Sequence, residues 1–361
     1  MESRLFHCQH FRGASRLSTF DGANLHVAWY NGVDCFIILA YNGRKAIVMS
    51  RCITMKSFAM KSYCLLATAL CTVSCLFADD SIRILSINVR CSTAEDGENN
   101  WANRKDFMSD VIVGGNYDFI GTQETVMISD PARNQVSYII SKLPNHGYIG
   151  RSREVNPEVG EAMMLFYKKE RWHIDDTDHE TFWLSDTPDI AGSKTDPKAG
   201  CPRSVTAALF HEFNAGQPTG KSLYVYNTHY DHMSEEARQR GAKLLMERIA
   251  ARKKKEIPVV VMGDMNCGEQ SPAIRYMQGV SMTLDGQKWS SPYPLTDTFR
   301  AVHPDASDVG TFTGFKVPGK EKIDYIFVSP NLKTISAEII RTQREGRYPT
   351  DHFPINAVIA W

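Results

Sequence analysis

A layered α/β sandwich built on mixed β-sheets is the fold class that three features of the sequence predict. Apolar residues alternate or run unbroken in eight short stretches, at residues 82–88, 118–122, 163–167, 204–213, 222–229, 258–263, 323–328 and 354–360, and that period and length are those of strands. Stretches with helix-start signals lie between them. The two kinds alternate irregularly, so hairpin-like pairs stand beside strand–helix–strand units, and mixed sheets covered by helices accommodate both. No repeat or low-complexity tract interrupts the pattern, and the roughly 280 residues that carry it suit one large domain.

As a helix, residues 101–113 place Phe107, Val111 and Ile112 on one side. Asp130 and Pro131 read as N-cap and first-turn proline of a helix over 132–143, Ser234 with Glu235 and Glu236 opens one running to residue 255, and Ser271 with Pro272 opens another. The charge run Arg252-Lys253-Lys254-Lys255 is read as the solvated end of its helix. Residues 175–202 have weak periodicity and are expected to be a loop region bordering the functional site.

The amino-terminal part is different material. Lys56 and Lys61 precede an apolar run over 64–77, which Ala78-Asp79-Asp80 follows; that order is the layout of a secretory signal. Fourteen residues fall short of the ~20 that cross a bilayer as a helix, so export is expected and a retained span is not. The expected organisation is therefore a signal peptide at 55–78 and an exported domain at 79–361, secreted or periplasmic. Residues 1–54 are expected to be a non-native extension of the reading frame or disordered, the alternative being a small β-rich piece around 25–46. Thr72-Val-Ser-Cys75 loosely matches a lipidation motif, which makes anchoring through Cys75 the minor alternative.

At 23% charged and 43% hydrophobic residues, the chain is not a disordered, collagenous or polytopic membrane protein. Its 41 basic and 41 acidic groups are unevenly placed. Residues 1–78 hold eight of the basic and three of the acidic ones, which leaves 33 and 38 in residues 79–361, a net charge of −5. Extended nucleic-acid binding, which normally needs a basic face, is not expected. Three cysteines remain in this body, Cys91, Cys201 and Cys267. An odd number excludes a fully paired scaffold, and either a Cys91–Cys201 bridge or three small buried thiols fits.

Chemically capable residues gather at the carboxyl ends of the expected strands, where open α/β sheets present ligand sites. Asn88 ends the first strand, Glu124 follows the second, Asn227-Thr-His229-Tyr-Asp231-His232 ends another, Gly263-Asp264-Met-Asn266 ends the next, and Thr350-Asp351-His352 precedes the last. Taken singly, each has an ordinary explanation as a turn former or solvated strand end. Together they supply hard oxygen ligands, hydrogen-bond donors for phosphate and a base.

The order and spacing of Ile87-Asn88, Gln123-Glu124, Pro202-Arg203, Asn227-Thr-His229, Gly263-Asp-Met-Asn266, Lys322-Ile-Asp324-Tyr-Ile-Phe and Asp351-His352 resemble the endonuclease/exonuclease/phosphatase family, over residues 82–361. The resemblance implies a four-layer sandwich with two central mixed sheets flanked by helices, and a metal-dependent phosphoesterase. It implies Glu124 as main ligand of Mg²⁺ or Mn²⁺, with Asn88 and Asp351 beside it directly or through water. It further implies His352 as phosphate contact or base oriented by Asp324, Asp264 as aligner or base for the attacking water, Asn266 and His229 as donors to phosphoryl oxygens, and Arg203 as a forked cationic contact. Asp231, His232 and Arg104 are secondary candidates, Arg104 equally a helix-surface ion pair. The expected substrate is a phosphate mono- or diester on a small molecule, sugar or lipid head group, with a nuclease as the alternative and an inactive binding module as the remote one. A monomer is expected.

Overall fold

A computed structural model describes residues 81–195 and 197–361, and within residues 1–80 the course of four strands. Those strands, β1 (Ser18–Phe20), β2 (Ala23–Trp29), β3 (Cys35–Tyr41) and β4 (Ala46–Cys52), pair in sequence order as an antiparallel sheet. The leader at 55–78, Cys75 and the boundary at Asp79 lie outside the described residues.

The unit from Ser81 to Trp361 contains two six-stranded sheets. One is ordered β17 (Lys333–Ile339), β18 (Ile355–Ala360), β5 (Ile82–Asn88), β6 (Phe119–Met127), β8 (Gly160–Lys168), β7 (His146–Ile149). The other runs β15 (Thr296–Asp297), β16 (Asp324–Val328), β12 (Val259–Asp264), β11 (Gln217–His229), β10 (Ser204–Asn214), β9 (Trp172–Trp183). Each holds one parallel pair, β5 with β6 and β11 with β12, among antiparallel neighbours. A separate hairpin joins β13 (Met282–Leu284) to β14 (Gln287–Trp289).

Period-two alternation sorts the strand side chains into layers. In β5, Ile82 and Ile84 meet Phe210, Val225, Val260 and Met262 of the other sheet, while Leu85 and Ile87 meet Met108 and Ile112 of α1 (Trp101–Gly114) and Ile139 of α2 (Gln135–Lys142). The outer face of the second sheet packs Tyr226, Val261 and Phe327 against Leu245 and Ile249 of α3 (Glu235–Ala251) and Ile274 of α4 (Pro272–Met277). A last short helix, α5 (Thr298–Val302), follows β15. Helices, sheet, sheet and helices thus form the four expected layers. Fully buried Asn227 ties the sheets together: its Nδ2 donates to the carbonyls of Thr122 and Met164, at 3.0 and 2.8 Å, and its Oδ1 accepts from Gln123 Nε2 at 2.7 Å.

Three local expectations differ from the structure. Asp130 closes a turn by accepting from Ala132 N, and the helix begins only after Asn134, whose side chain caps Ser137 N. Residues 175–183 are not loop but most of β9, an edge strand carrying Asp175, Asp176, Asp178 and Glu180; charge on an edge discourages further strand pairing and also hides the strand from an apolar-pattern reading. α3 ends at Ala251, and Arg252 is buried rather than solvated, donating to the carbonyls of Ile249 and Ile257 at 2.7 and 2.9 Å.

Gly263 permits the close approach that sets up the next residue. It pairs with Thr228 in the parallel register at φ +152°, and a Cβ there would lie 2.0 Å from the Thr228 carbonyl oxygen. Gly263→Ala is expected to destabilise the domain by about 1–3 kcal/mol, read as a lower denaturation midpoint, and an unchanged midpoint would contradict this packing.

Candidate active site

The parallel pairs turn the carboxyl ends of β5, β6, β11 and β12 to one side, and the antiparallel strands β16 and β18 begin there. The two sheets bring these ends together, since Asn88 Nδ2 donates to Asp264 Oδ2 across 3.0 Å. Glu124, Arg203, His229, Asp264, Asn266, Asp351 and His352 line one cavity of about 450 Å³, with Asn88 and Asp324 directly behind its floor.

Glu124 owes its position to a break in the ladder. Pairing between β6 and β8 shifts register between Thr122 and Thr125, and Glu124 takes a left-handed φ of +58°. A bulge of this kind re-aims a side chain, and left-handed backbone at a non-glycine residue is strain that surrounding contacts must hold. Here Asn88 Nδ2 donates to Oε1 at 3.0 Å and Cys91 N to Oε2 at 3.1 Å. Burial works against ionisation of Glu124, but the Asn88 bond, His352, the Cys91 N–H and Arg90 outweigh it and hold the carboxyl below its ordinary range. Asp351 is the opposite case: burial, with Glu124 nearby, pushes it up despite His352 and Arg90.

Arg104 is not a surface ion pair. It is buried, and its guanidinium donates to the carbonyls of Val89 and Arg90 at 2.6 Å and of Pro349 at 3.4 Å. It thereby clamps the exit of β5 to the segment leading into Asp351, and burial lowers its pKa to about 10.

A second chain of contacts crosses the floor. His352 Nδ1 lies 2.9 Å from Asp324 Oδ2, and its Nε2 lies 3.7 Å from Asp264 Oδ2. Burial disfavours an imidazolium there, yet the two carboxylates prevail and raise His352 well above its ordinary value. Asp264 rises to about 7 through burial and the neighbouring charge of Asp324. His352 is thus favoured as the imidazolium, with Asp264 raised toward neutrality beside it.

Two expected roles change. Asn266 Nδ2 donates to the Tyr230 carbonyl at 2.9 Å and to His229 Nε2 at 2.8 Å, so both its N–H bonds are used inside the protein and none remains for a phosphoryl oxygen. It positions His229 instead. With Nε2 accepting, neutral His229 carries its proton on Nδ1, a buried atom with no partner among the described residues; burial, then Arg203 and Arg153, keep this ring neutral. Asn88 likewise turns its amide nitrogen to Glu124 and Asp264 while its Oδ1 accepts from Arg90 N at 2.9 Å, an arrangement that fastens the carboxylates rather than offering an oxygen ligand.

Arg203 Nη2 donates to His232 Nδ1 at 2.8 Å, leaving Nε and Nη1 unpaired and buried. Asp231 is structural, accepting from Gly200, Met233 and Ser234 backbone N–H groups at 2.8–2.9 Å. Cys201, Asp231 and His232 come close enough together to suggest a metal triad. Those backbone donors and Arg203 already occupy Asp231 and His232 Nδ1, and the adjacent guanidinium opposes a cation. Cys91 and Cys201 are free thiols, so no bridge joins them. Arg153, Glu161, Phe312 and Phe315 also line the cavity; Arg153 belongs to the basic stretch Arg151-Ser-Arg153, while Glu161, Phe312 and Phe315 were not singled out by sequence, since their spacing from the other motifs carries no signal of its own.

Residues 85–352 match the model of the Endonuclease/Exonuclease/phosphatase family. The chain belongs to this family. Among solved structures it is similar to an endonuclease/exonuclease/phosphatase from Bacteroides vulgatus at 31% identity, over 77% of this chain and 98% of that one, with a TM-score of 0.66. A mannosyl-6-phosphatase from Bacteroides thetaiotaomicron shares 26% identity over 78% and 100%, with a TM-score of 0.63. The human nocturnin catalytic domain, at 15% identity, 78% and 95% coverage and a TM-score of 0.58, shares the fold. No curated protein matches the chain in sequence.

Proposed function

We propose that this protein is an exported, divalent-metal-dependent phosphoesterase that hydrolyses a small phosphate ester by in-line attack of water. The observation that carries the reading is the buried chain Asp324–His352–Asp264 in the same cavity as Glu124, Asp351 and Arg203. Glu124 and Asp351 offer hard carboxylate oxygens with mutual repulsion that a cation would relieve, and these suit Mg²⁺ or Mn²⁺. The bound ion would draw off charge developing on the leaving oxygen. Asp264 takes the proton of the attacking water, because His352 already holds one between two carboxylates. Asp324 orients His352, and His229 Nδ1–H and Arg203 meet the phosphoryl oxygens.

If Asp324 acts only through His352, Asp324→Asn should lower kcat less than His352→Ala, and the double variant should be no worse than His352→Ala alone. Additive losses would show separate roles.

A small substrate is favoured by the net charge of −5 over residues 79–361 and supported by the mannosyl-6-phosphatase relative. KM is therefore expected to depend weakly on salt, with a slope equivalent to at most about two phosphates at −0.9 each. A slope of about five such units on plasmid DNA would favour a nuclease instead. The deciding screen measures hydrolysis of DNA, RNA, phosphosugars, inositol phosphates and sphingomyelin with Mg²⁺ and with EDTA; no turnover of any of them would overturn the reading. Export predicts mature protein beginning near Asp79, or at lipidated Cys75, by mass spectrometry of the host's extracellular and envelope fractions.

A further inference from the structure

We infer that Arg153, together with Arg203 and His229, forms an anion corner that selects a terminal phosphate, a monoester, over a phosphodiester. This rests on the phosphoesterase reading above and goes further, because neither the motifs nor the fold distinguish the two ester classes. Arg153 lies in the connection between β7 and β8. Its backbone is locked on both sides: its N–H donates to the Glu161 carbonyl at 2.8 Å, and its own carbonyl accepts from Trp183 Nε1 at 2.6 Å. Glu161 Oε1, 3.0 Å from Nη2, sets the direction of the guanidinium.

Three cavity-lining side chains from separate elements carry buried nitrogen atoms without a partner among the described residues. They are Nε and Nη1 of Arg153, Nε and Nη1 of Arg203, and Nδ1 of His229. These residues are 7%, 6% and 3% exposed, so their donors are already stripped of most solvent before any ligand enters. The nearby acids do not satisfy them either, since Asp231 Oδ2 is 3.7 Å from Arg203 Nε and Glu154 Oε1 is 3.8 Å from Arg153 Nε. Buried charged donors left unpaired are costly, and an anion with several acceptor oxygens relieves all three at once.

A terminal phosphate presents three acceptor oxygens and a charge near −2 above its second pKa of ≈ 6. A diester presents two such oxygens at charge −1, and its second ester group brings carbon where the corner offers N–H. Binding it leaves donors desolvated and unpaired, which is the condition under which a polar site rejects an analogue strongly.

The test compares phenyl phosphate with methyl phenyl phosphate in Mg²⁺, so that the leaving group is the same. Wild type should favour the monoester in kcat/KM by about 10³-fold or more, against the ~10⁴–10⁵ that polar sites reach. Arg153→Lys keeps the charge and loses the planar donor set; Arg153→Met with Glu161→Gln removes the pair without stranding an acid. Either should reduce that preference at least about tenfold, monoester turnover falling further than diester turnover by the worth of one lost charge-assisted bond. Calorimetry with inorganic phosphate and with dimethyl phosphate supplies a readout independent of turnover, and phosphate affinity should fall about tenfold or more in Arg153→Lys on the same ground. Equal or faster diester hydrolysis, or phosphate binding unchanged in the folded variants, would overturn the corner and leave the phosphoesterase reading standing. Phosphate binding lost with Arg153 but no hydrolysis of either ester or of any substrate in the screen above would instead sink the phosphoesterase reading and keep the corner.

Discussion

Asp264→Asn is expected to lower kcat by about 10³-fold, within the 10²–10⁴ that a positioned general base contributes, with little change in KM. The substitution preserves the shape and the acceptor for Asn266 N, 2.9 Å from Asp264 Oδ1, so the loop through Asn266 should stay in place, while its new amide nitrogen faces Asn88 Nδ2, which donates to Oδ2 in the wild type. What it removes is a carboxylate of the floor that burial and Asp324 raise to about 7. Because the ionised form must act, kcat/KM of the wild type should rise with pH toward about 7 and level off above it. Asp324→Asn, by deleting the negative neighbour that raises Asp264, should move that rise to lower pH. Stability should behave in the opposite sense. A folded-state pKa raised above the unfolded one contributes stability at acid pH that is lost as pH climbs through the folded value. For Asp264 the loss therefore falls between its ordinary value of 3.8 and about 7. A variant that keeps wild-type turnover would remove Asp264 from the chemistry; one that loses both turnover and fold would show a structural role.

The residues of the floor were legible because the chemistry sits at strand ends, and strand ends are where sequence periodicity is clearest. β5, β11 and β12 are apolar runs that stop at Asn88, His229 and Asp264. The walls were not legible for the same reason inverted. Arg153 and Glu161 stand in and after a connection without periodicity, and only the fold brings them opposite Arg203. Nor can spacing tell which way an amide faces. Asn88 and Asn266 lie where the motif implies direct partners of metal and phosphate, whereas their hydrogen bonds make them supports, one for Glu124 and Asp264, the other for His229. Edge strand β9 escaped because its charged half, from Asp175 to Glu180, meets solvent on an open edge and shows no apolar pattern. β6 hides its break too: the apolar pattern stops at Thr122 with Glu124 beyond it, whereas the strand runs on to Met127 and only the register shift against β8 reveals the bulge.

That bulge gives the second large expectation. Glu124→Gln should weaken binding of Mg²⁺ or Mn²⁺ by at least about 10–100-fold, the loss typical even for groups one step removed from a metal. Turnover at fixed cation should fall in parallel and be partly restored by raising the cation concentration. Glutamine keeps the length and one oxygen, but it loses the charge and sets an amide nitrogen against either Asn88 Nδ2 or Cys91 N, both donors that now meet a carboxylate oxygen. Two donors facing each other disturb the support as well as the ligand, so Glu124→Asp is the useful companion. It retains charge on a shorter arm, and at a position held at φ +58° within a ladder break the backbone cannot easily advance to compensate. Glu124→Asp should therefore bind the cation with intermediate affinity. Titration calorimetry on the wild type and both variants decides the matter, and cation affinity unchanged by Glu124→Gln would show that Glu124 is not a ligand.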